Sequence, residues 1–227
     1  MIFLDNASTT SLCKSGAQNL LKYSQELFYN PSASYSAGFE NYKAIQGVKA
    51  FLAKKLNVDF KNNIIFTGSA TEATNLAIFG SYRKNWKKAV FSAGEHPSVY
   101  NCALELQARG VKVEFVDLDA SGAVDLEKLS KVLDEDVAFL SIMQVSNETG
   151  AINNLEKIFA LKQQKCKDAI FHVDGVQAFG KIDVDLPKFN PDFYTISAHK
   201  FHGPKGLGAL YAKNPQKECR CSCRTST

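Results

Sequence analysis

The sequence predicts an α/β fold built on a mostly parallel sheet of seven strands, with helices on both faces. Short apolar runs alternate along the chain with longer stretches of helical periodicity, which is typical of such sheets. The 227 residues are 45% hydrophobic, enough apolar side chain for one large core. We expect strands near residues 64–67, 89–93, 112–116, 138–143, 169–174, 193–197 and 207–212, and helices near 36–56, 71–85, 97–109, 125–135 and 153–165.

The first predicted strand ends in a turn that suits an anion. Residues 64–66 are apolar, residues 68–71 read Gly-Ser-Ala-Thr, and a helical pattern follows with Glu72 in its first turn. A helix start offers unpaired backbone N–H groups and the positive end of the helix dipole, so the turn could bind a phosphate. The alternative is an ordinary Ser/Thr helix cap. Neither of the familiar nucleotide-binding glycine motifs is present.

Polar residues also follow the second and fourth predicted strands. His96 lies just after the strand near 89–93, where its ring could stack on a planar ligand or move a proton, or could simply be a turn residue before Pro97. Asn147 follows the strand near 138–143, where its amide could meet a ring hydroxyl or a carboxylate. The alternative for Asn147 is a turn residue, since Asn-Glu-Thr-Gly forms turns readily.

The fifth predicted strand ends in an acidic residue. Asp174 closes an apolar run, and a charge at the carboxyl end of a buried strand points into the ligand crevice of an open α/β sheet. It could equally begin a turn before Gly175. Gln177, three residues further on, could face the same crevice or be a polar residue on a helix.

The sixth predicted strand opens into a loop dense in glycine, histidine and lysine, and Lys200 lies at its start. A lysine amine attacks carbonyls when its surroundings lower its pKa. A Schiff-base lysine can hold pyridoxal phosphate (PLP) if a carboxylate such as Asp174 keeps the pyridine nitrogen protonated. The alternative is a solvated loop lysine. The cationic neighbours that we expect to lower the pKa of Lys200 are His199, His202 and Lys205.

The order of these pieces resembles the class V aminotransferases, and among them the chain closely resembles the cysteine desulfurases. Each motif alone is weak, but together and in register they are specific, and they extend from residue 3 to about residue 215. The motifs lie at residues 3–10, 30–34, 67–72, 95–97, 147–150, 172–177 and 197–206.

The resemblance implies a role for each candidate. Lys200 would carry the cofactor PLP, Asp174 would pair with its pyridine nitrogen, and His96 would stack on the ring and move protons. Gln177 would reach the ring hydroxyl, and Asn147 would orient the substrate or a ring oxygen. The phosphate would be held by Ala70, Thr71, Ser197 and His199.

The activity implied by the resemblance is conversion of L-cysteine to L-alanine, with transfer of sulfur to a protein cysteine. The implied partners are a second copy of the chain, in a homodimer, and a sulfur acceptor or scaffold protein that serves the assembly of iron–sulfur clusters or other sulfur-containing cofactors. Two alternatives remain open. One is another class V aminotransferase or a selenocysteine lyase, and the other is a non-catalytic remnant that keeps the fold.

The resemblance also divides the chain. Residues 1–30 would belong to a smaller, incomplete domain, residues 31–215 would form the PLP-binding domain, and residues 216–227 would be an unstructured tail. A truncated or frame-shifted form is the interpretation we favour, with exposed apolar surface and little activity alone, because the sulfur-accepting cysteine and the substrate-binding arginine of the family are expected further downstream. The tail cysteines lack the usual C-x-x-C spacing, so we expect no metal site at Cys219, Cys221 and Cys223.

Charge and composition argue against several other classes of protein. The formal net charge of +4 is modest and dispersed, so nucleic-acid binding is not expected. No apolar run has the length of a membrane span. The six cysteines lack disulfide-like spacing and no signal peptide is recognisable, which together indicate a cytoplasmic protein.

Overall fold

A computed structural model describes residues 2–59 and 63–215. The seven expected strands are present and form one sheet. Their bounds are β1 (Ile64–Thr67), β2 (Lys88–Ser92), β3 (Lys112–Val116), β4 (Val137–Met143), β5 (Ile170–Asp174), β6 (Phe193–Ser197) and β7 (Gly208–Ala212). The strand order is β1-β7-β6-β5-β4-β2-β3, and β7 runs antiparallel to both of its neighbours while the other pairs are parallel. The predicted fold class is confirmed.

Helices cover both faces of this sheet. They are α1 (Lys14–Gln25), α2 (Ser36–Lys55), α3 (Ala70–Ser81), α4 (Pro97–Ala108), α5 (Leu126–Val132), α6 (Leu155–Lys165) and the short α7 (Leu186–Phe189). Helices α3 and α4 pack on one face, while α5, α6, α7 and the end of α2 pack on the other.

Alternate residues of each strand therefore enter different cores. In β4, Phe139 packs with Phe91 and Trp86 on one face, whereas Leu140 and Ile142 belong to the core on the opposite face. Strands β2, β6 and β7 are buried along their whole length. Burial on both faces is expected of strands in the middle of an α/β sheet, and it explains why these strands read as continuous apolar runs.

Two helices are shorter than the sequence pattern suggests. The helix expected over 71–85 ends at Ser81, because Tyr82 is extended (ψ 137°) and packs its ring edge-on against Trp86 at 5.5 Å. The helix expected over 125–135 begins after Asp125, whose carboxylate accepts the N–H groups of the first turn, and it ends at Val132. In both cases an extended residue directly after the helix, Tyr82 or Leu133, ends it before the helical periodicity of the sequence stops.

The N-terminal helices leave much apolar surface uncovered. No residue of α1 is buried, and large apolar side chains of α1, α2 and the loop between them are exposed, among them Leu20, Leu21, Phe28, Phe39 and Phe51. This agrees with the exposed apolar surface expected from the sequence, while the assignment of residues 1–30 to a smaller domain stays a prediction. The predicted tail, with its three cysteines, lies outside the described residues.

Candidate active site

A cavity of about 510 Å³ opens where the mutually parallel strands β1, β4, β5 and β6 end. The nearby end of β2 contributes through the loop that follows it. All nine residues proposed from the sequence line this cavity, although they are spread over 131 positions of the chain (70 to 200, counted inclusively). They are Ala70, Thr71, His96, Asn147, Asp174, Gln177, Ser197, His199 and Lys200. Their individual roles stay predictions.

The turn between β1 and α3 has a fixed shape. Ser69 Oγ accepts from the N–H of Glu72 at 3.1 Å, and Glu72 Oε2 accepts from the N–H of Gly68 at 2.7 Å, so the two side chains cap the helix reciprocally. A Cβ on Gly208 would lie 2.6 Å from the backbone carbon of Ser69, so only glycine lets β7 approach this closely. Ala70 and Thr71 then begin α3, where backbone N–H groups have no intrahelical acceptor.

Asp174 lies at the end of β5 with 7% of its surface exposed. Its Oδ1 accepts from the N–H of Val176 at 2.9 Å, the one hydrogen bond to this carboxylate within the described ranges. Burial raises the pKa of Asp174, and the Val176 bond and the nearby His96 and Lys200 oppose that rise. A Cβ on the next residue, Gly175, would collide with a tyrosine ring of β6, so the chain can follow this path only with glycine there.

Lys200 closes a single 3-10 turn that follows β6. Its Nζ donates to two backbone carbonyls of the N-terminal segment, Ala7 O at 2.7 Å and Ser8 O at 2.8 Å. The predicted reactive lysine is therefore held at the cavity by residues nearly two hundred positions away in the sequence.

The pKa of Lys200 is lowered, as the sequence predicts, but not by the expected neighbours. Burial is the largest cause, the charge of Lys181 adds to it, and Asp174 and Asp5 act in the opposite direction. A lower pKa leaves more of the amine uncharged and able to attack a carbonyl. The expectation that His199, His202 and Lys205 lower this pKa is corrected, since the cationic neighbour that contributes is Lys181.

The N-terminal segment, residues 5–13, runs along the loop that carries Lys200. The N–H of Thr10 donates to His199 O at 2.9 Å, and Thr9 Oγ1 lies 2.9 Å from His199 Nδ1. The N–H of His202 donates to Thr10 Oγ1 at 2.7 Å, at a residue whose φ of 67° is left-handed. Ser8 and Thr9 line the cavity themselves. Sequence reasoning noted the motif at residues 5–10 but assigned no site residue to it.

Glu95 is a second residue that sequence reasoning missed. It is buried beside His96, and its Oε1 accepts from Ser92 Oγ at 2.6 Å and from the N–H of Met143 at 2.7 Å. Its Oε2 is buried without a hydrogen-bond partner among the described residues. Burial raises the pKa of Glu95 to about 8, assisted by the charge of Asp174 and opposed by the two hydrogen bonds. Its position between Ser92 and His96, at the end of a buried strand, was the available signal.

The rings and amides of the remaining candidates are oriented by the backbone. The N–H of Ser98 donates to His96 Nδ1 at 3.1 Å, so a neutral His96 carries its proton on Nε2. Gln177 Nε2 donates to Ala7 O at 2.7 Å, and its Oε1 accepts from Lys181 Nζ at 2.5 Å. Asn147 lies in the turn after β4, and Ser197, which is 3% exposed, ends β6.

The donor set of this cavity fits PLP. Its lining includes the start of α3 and the side chains of Ser69, Thr71 and Ser197, a suitable group of donors for a phosphate. It also includes the Lys200 amine and the buried Asp174 carboxyl, the two groups that a PLP site requires. A volume of about 510 Å³ is within the range of small-molecule sites. In the part of the chain that the structure describes, no group of three or more His, Cys, Asp or Glu side chains could hold a metal ion. Nor is any helix there long and apolar enough to cross a membrane.

Known proteins similar to this chain share both its sequence pattern and its fold. The family model described as "Aminotransferase class-V" matches residues 2–220. Cysteine desulfurase IscS of Neisseria meningitidis serogroup C (strain 053442) is 36% identical over 216 residues, which cover 93% of this chain and 53% of that protein. These matches confirm the resemblance seen in the sequence.

Two solved structures are also similar. A NifS-like protein superposes with a TM-score of 0.89 at 33% identity, covering 93% of this chain and 59% of that one. SspA in complex with cysteine gives a TM-score of 0.89 at 29% identity, covering 94% of this chain and 62% of that one. The chain thus spans about half the length of the curated relatives that it matches, and about three fifths of these two structures.

Proposed function

Since this chain belongs to the class-V aminotransferase family, we propose that it is the cofactor-binding part of a PLP-dependent cysteine desulfurase. The observation that carries the proposal is the convergence of nine separate residues on one cavity, with a lysine of lowered pKa and a buried carboxylate among them. The similar proteins named cysteine desulfurase, and the similar structure in complex with cysteine, favour L-cysteine as the substrate.

One end of the cavity would bind the phosphate of the cofactor. Ala70 and Thr71 offer N–H groups at the start of α3, and the positive end of the helix dipole favours an anion there. Ser197 and His199 line the same cavity and would add side-chain donors. Thr9, through its contact with the His199 ring, would keep that ring in place.

Lys200, Asp174 and His96 would do the chemistry at the other end. When bound, PLP supplies an electron sink that weakens bonds to the substrate carbon atoms. Lys200 would bind the cofactor through its uncharged amine. Asp174 would hold a proton at the pyridine nitrogen, and His96, with a proton on Nε2, would stack on the ring and move protons to and from the substrate. Gln177 would donate to the ring hydroxyl, and Asn147 would orient the substrate or a ring oxygen.

The whole reaction would convert L-cysteine and a protein thiol into L-alanine and a protein persulfide, so that one sulfur atom passes from the substrate to the thiol. A homodimer, a sulfur acceptor or scaffold protein for iron–sulfur cluster assembly, and a cytoplasmic location belong to the same proposal. The name IscS among the relatives supports this setting.

Covalent trapping of the cofactor tests the proposal. The full chain is incubated with PLP, reduced with borohydride and mapped by peptide mass spectrometry. We expect one adduct, at Lys200, which is lost in Lys200→Ala and retained in Lys84→Ala, a matched exposed lysine far from the cavity. L-cysteine added before reduction should change the absorption of the bound cofactor, whereas L-aspartate should not.

Each other outcome counts against a defined part of the proposal. Adducts scattered over surface lysines would refute the cofactor site. An adduct at Lys200 that no amino acid perturbs would favour the non-catalytic remnant. Perturbation by L-selenocysteine but not by L-cysteine would favour a selenocysteine lyase, and perturbation by L-aspartate would favour an aminotransferase.

A further inference from the structure

Lys181 is a cation that does not line the cavity but binds a side chain that does, the amide of Gln177. It follows Gly180, whose φ of 79° is left-handed and whose Cβ, if present, would approach Phe201 Cβ to 2.9 Å. After this turn the Lys181 side chain lies against the Gln177 amide, and its Nζ donates to Gln177 Oε1. In the described ranges Lys181 forms no ion pair with a carboxylate, so its charge is not compensated locally.

The contacts of the Gln177 amide leave one orientation. Lys181 Nζ can only donate, and it lies 2.5 Å from Oε1; the carbonyl of Ala7 can only accept, and it lies 2.7 Å from Nε2. Reversal of the amide would place Nε2 against an ammonium group and Oε1 against a carbonyl oxygen. Gln177 is only 8% exposed, so little water is present to relieve either conflict.

We propose that Lys181 is a positioning residue, which holds the Gln177 amide so that its NH₂ group, and not its carbonyl oxygen, faces the ligand. The inference rests on the proposed function. If the ligand atom opposite Gln177 is a hydrogen-bond acceptor, the amide must be fixed with its NH₂ group toward the ligand. The ring hydroxyl oxygen of PLP is an atom of that kind. Without Lys181 no donor would bind Oε1, and the Ala7 carbonyl alone would oppose reversal of the amide.

The same charge also acts on Lys200. Lys181 lowers the pKa of Lys200, after burial, while the carboxylates Asp174 and Asp5 raise it. His96, His199 and Lys205 line the same cavity as Lys200 and complete the set of titratable groups around it. Removal of the Lys181 charge should therefore raise the pKa of Lys200.

A double-mutant cycle tests the inference. PLP affinity is measured by absorption for the wild type, Lys181→Met, Gln177→Leu and the double variant, with Lys84→Met as the control for loss of an exposed lysine. Lys181→Met should weaken PLP binding about tenfold, because a charge-assisted hydrogen bond that fixes a ligand donor is lost. In the Gln177→Leu background, Lys181→Met should have little effect on PLP affinity. With Gln177 present, Lys181→Arg should bind PLP as the wild type does.

A second measurement needs no cofactor. The pH dependence of acetylation of Lys200, followed by peptide mapping, reports its pKa in each variant. We expect a higher pKa in Lys181→Met and the wild-type value in Lys181→Arg and Lys84→Met.

Two results would overturn the inference: unchanged PLP affinity in Lys181→Met, or an equal loss of PLP affinity with and without Gln177. An unchanged pKa of Lys200 in Lys181→Met would refute the electrostatic effect on Lys200. A wild-type chain that forms no PLP adduct at Lys200 would refute the proposed function instead, while the pKa comparison would still decide whether Lys181 acts on Lys200.

Discussion

Two groups of buried polar side chains lie in the same sheet and differ in how well their hydrogen bonds are satisfied. In the middle of the sheet, His172 bridges Ser141 and Thr195, with its ring nitrogens 2.8 and 3.0 Å from their hydroxyl oxygens. At the strand ends, the buried Glu95 leaves Oε2 without a partner among the described residues, and the Asp174 carboxylate receives one hydrogen bond.

The difference separates structure from chemistry. Burial lowers the pKa of His172 to about 3, so the ring is neutral at ordinary pH and links three strands. At the strand ends burial raises the pKa of Glu95 and Asp174 and lowers that of Lys200, so proton affinities move toward neutrality. Incompletely satisfied, titratable groups of this kind are typical of ligand and catalytic sites. Substitution of His172 should therefore lower stability and leave cofactor binding intact. Substitution of Asp174 should weaken cofactor binding and leave stability intact.

The largest effect that we expect is a pH-dependent change at Glu95. Its pKa rises from 4.5 to about 8 on folding, so the stability that the protonated form contributes is complete below pH 4.5 and is lost as the pH rises to about 8. The free energy of unfolding lost in this way is on the order of 5 kcal/mol. The Glu95→Gln side chain cannot ionise. The free energy of unfolding of this variant, relative to that of the wild type, should therefore increase as the pH rises through this range. Urea unfolding of both proteins at pH 5, 7 and 9 measures the difference, and a difference independent of pH would contradict the prediction.

His172→Leu should cost about 2–4 kcal/mol of stability, because it leaves two buried hydroxyls without their shared partner. The triple variant Ser141→Ala/His172→Leu/Thr195→Val should recover part of this loss, since it removes the unsatisfied hydroxyls as well. Denaturant unfolding gives the stabilities, and borohydride trapping should still find PLP on Lys200 in the triple variant. If the triple variant recovers no stability and PLP is no longer trapped on Lys200, the two polar groups do not act separately.

Asp174→Asn should show the reverse pattern. The free energy of unfolding at pH 7 should not fall, because a buried carboxyl whose charged form is disfavoured is replaced by a neutral amide. PLP should still attach to Lys200, but with about tenfold weaker affinity, because the pyridine nitrogen is no longer held protonated. Absorption titration measures the affinity. Asp183→Asn, at an exposed position, is the control, and equal affinities in both variants would show that Asp174 is only a turn residue.

The smallest effect is at the start of α3. Ser69→Ala removes the acceptor of the Glu72 N–H and should cost about 1 kcal/mol, or about 2–4 °C in Tm. Ser36→Ala is the matched control, because the start of α2 has no side-chain cap. A Tm change equal to that of the control would show that the cap contributes nothing.

The alternation of apolar runs and helical patterns was enough to predict the seven strands. The bounds of β1, β3 and β6 match the predicted ones, since each apolar run is closed by polar or turn-forming residues. The position of β7 between β1 and β6, antiparallel to both, has no local signal, because strand pairing is decided by contacts between distant segments. The ends of helices α3 and α5 were overestimated because an extended residue directly after each helix ends it, which helical periodicity does not reveal.

The part of the candidate site that is formed by side chains at strand ends could be predicted from the sequence. All nine proposed residues line the cavity because the parallel strands end on the same side of the sheet. The carbonyls of Ala7 and Ser8 could not be found, since any residue carries such an oxygen. Glu95 depends on Met143, 48 positions away, for its hydrogen bond, and Lys181 acquires its role only through the turn at Gly180.

The pairing of Lys200 with Ala7, 193 positions apart, also sets an order of events during synthesis. At about 5–20 residues per second, a ribosome needs about 10–40 s to reach Lys200 after it has made Ala7. For that time the segment at residues 5–13 has none of its partners at residues 199–202, whereas strands β2 to β5 can already pair with one another. The nascent chain can therefore pair most of its sheet before the candidate site is complete, and a ribosome that stalls ahead of residue 200 leaves those strands without the lysine that we propose as the point of cofactor attachment.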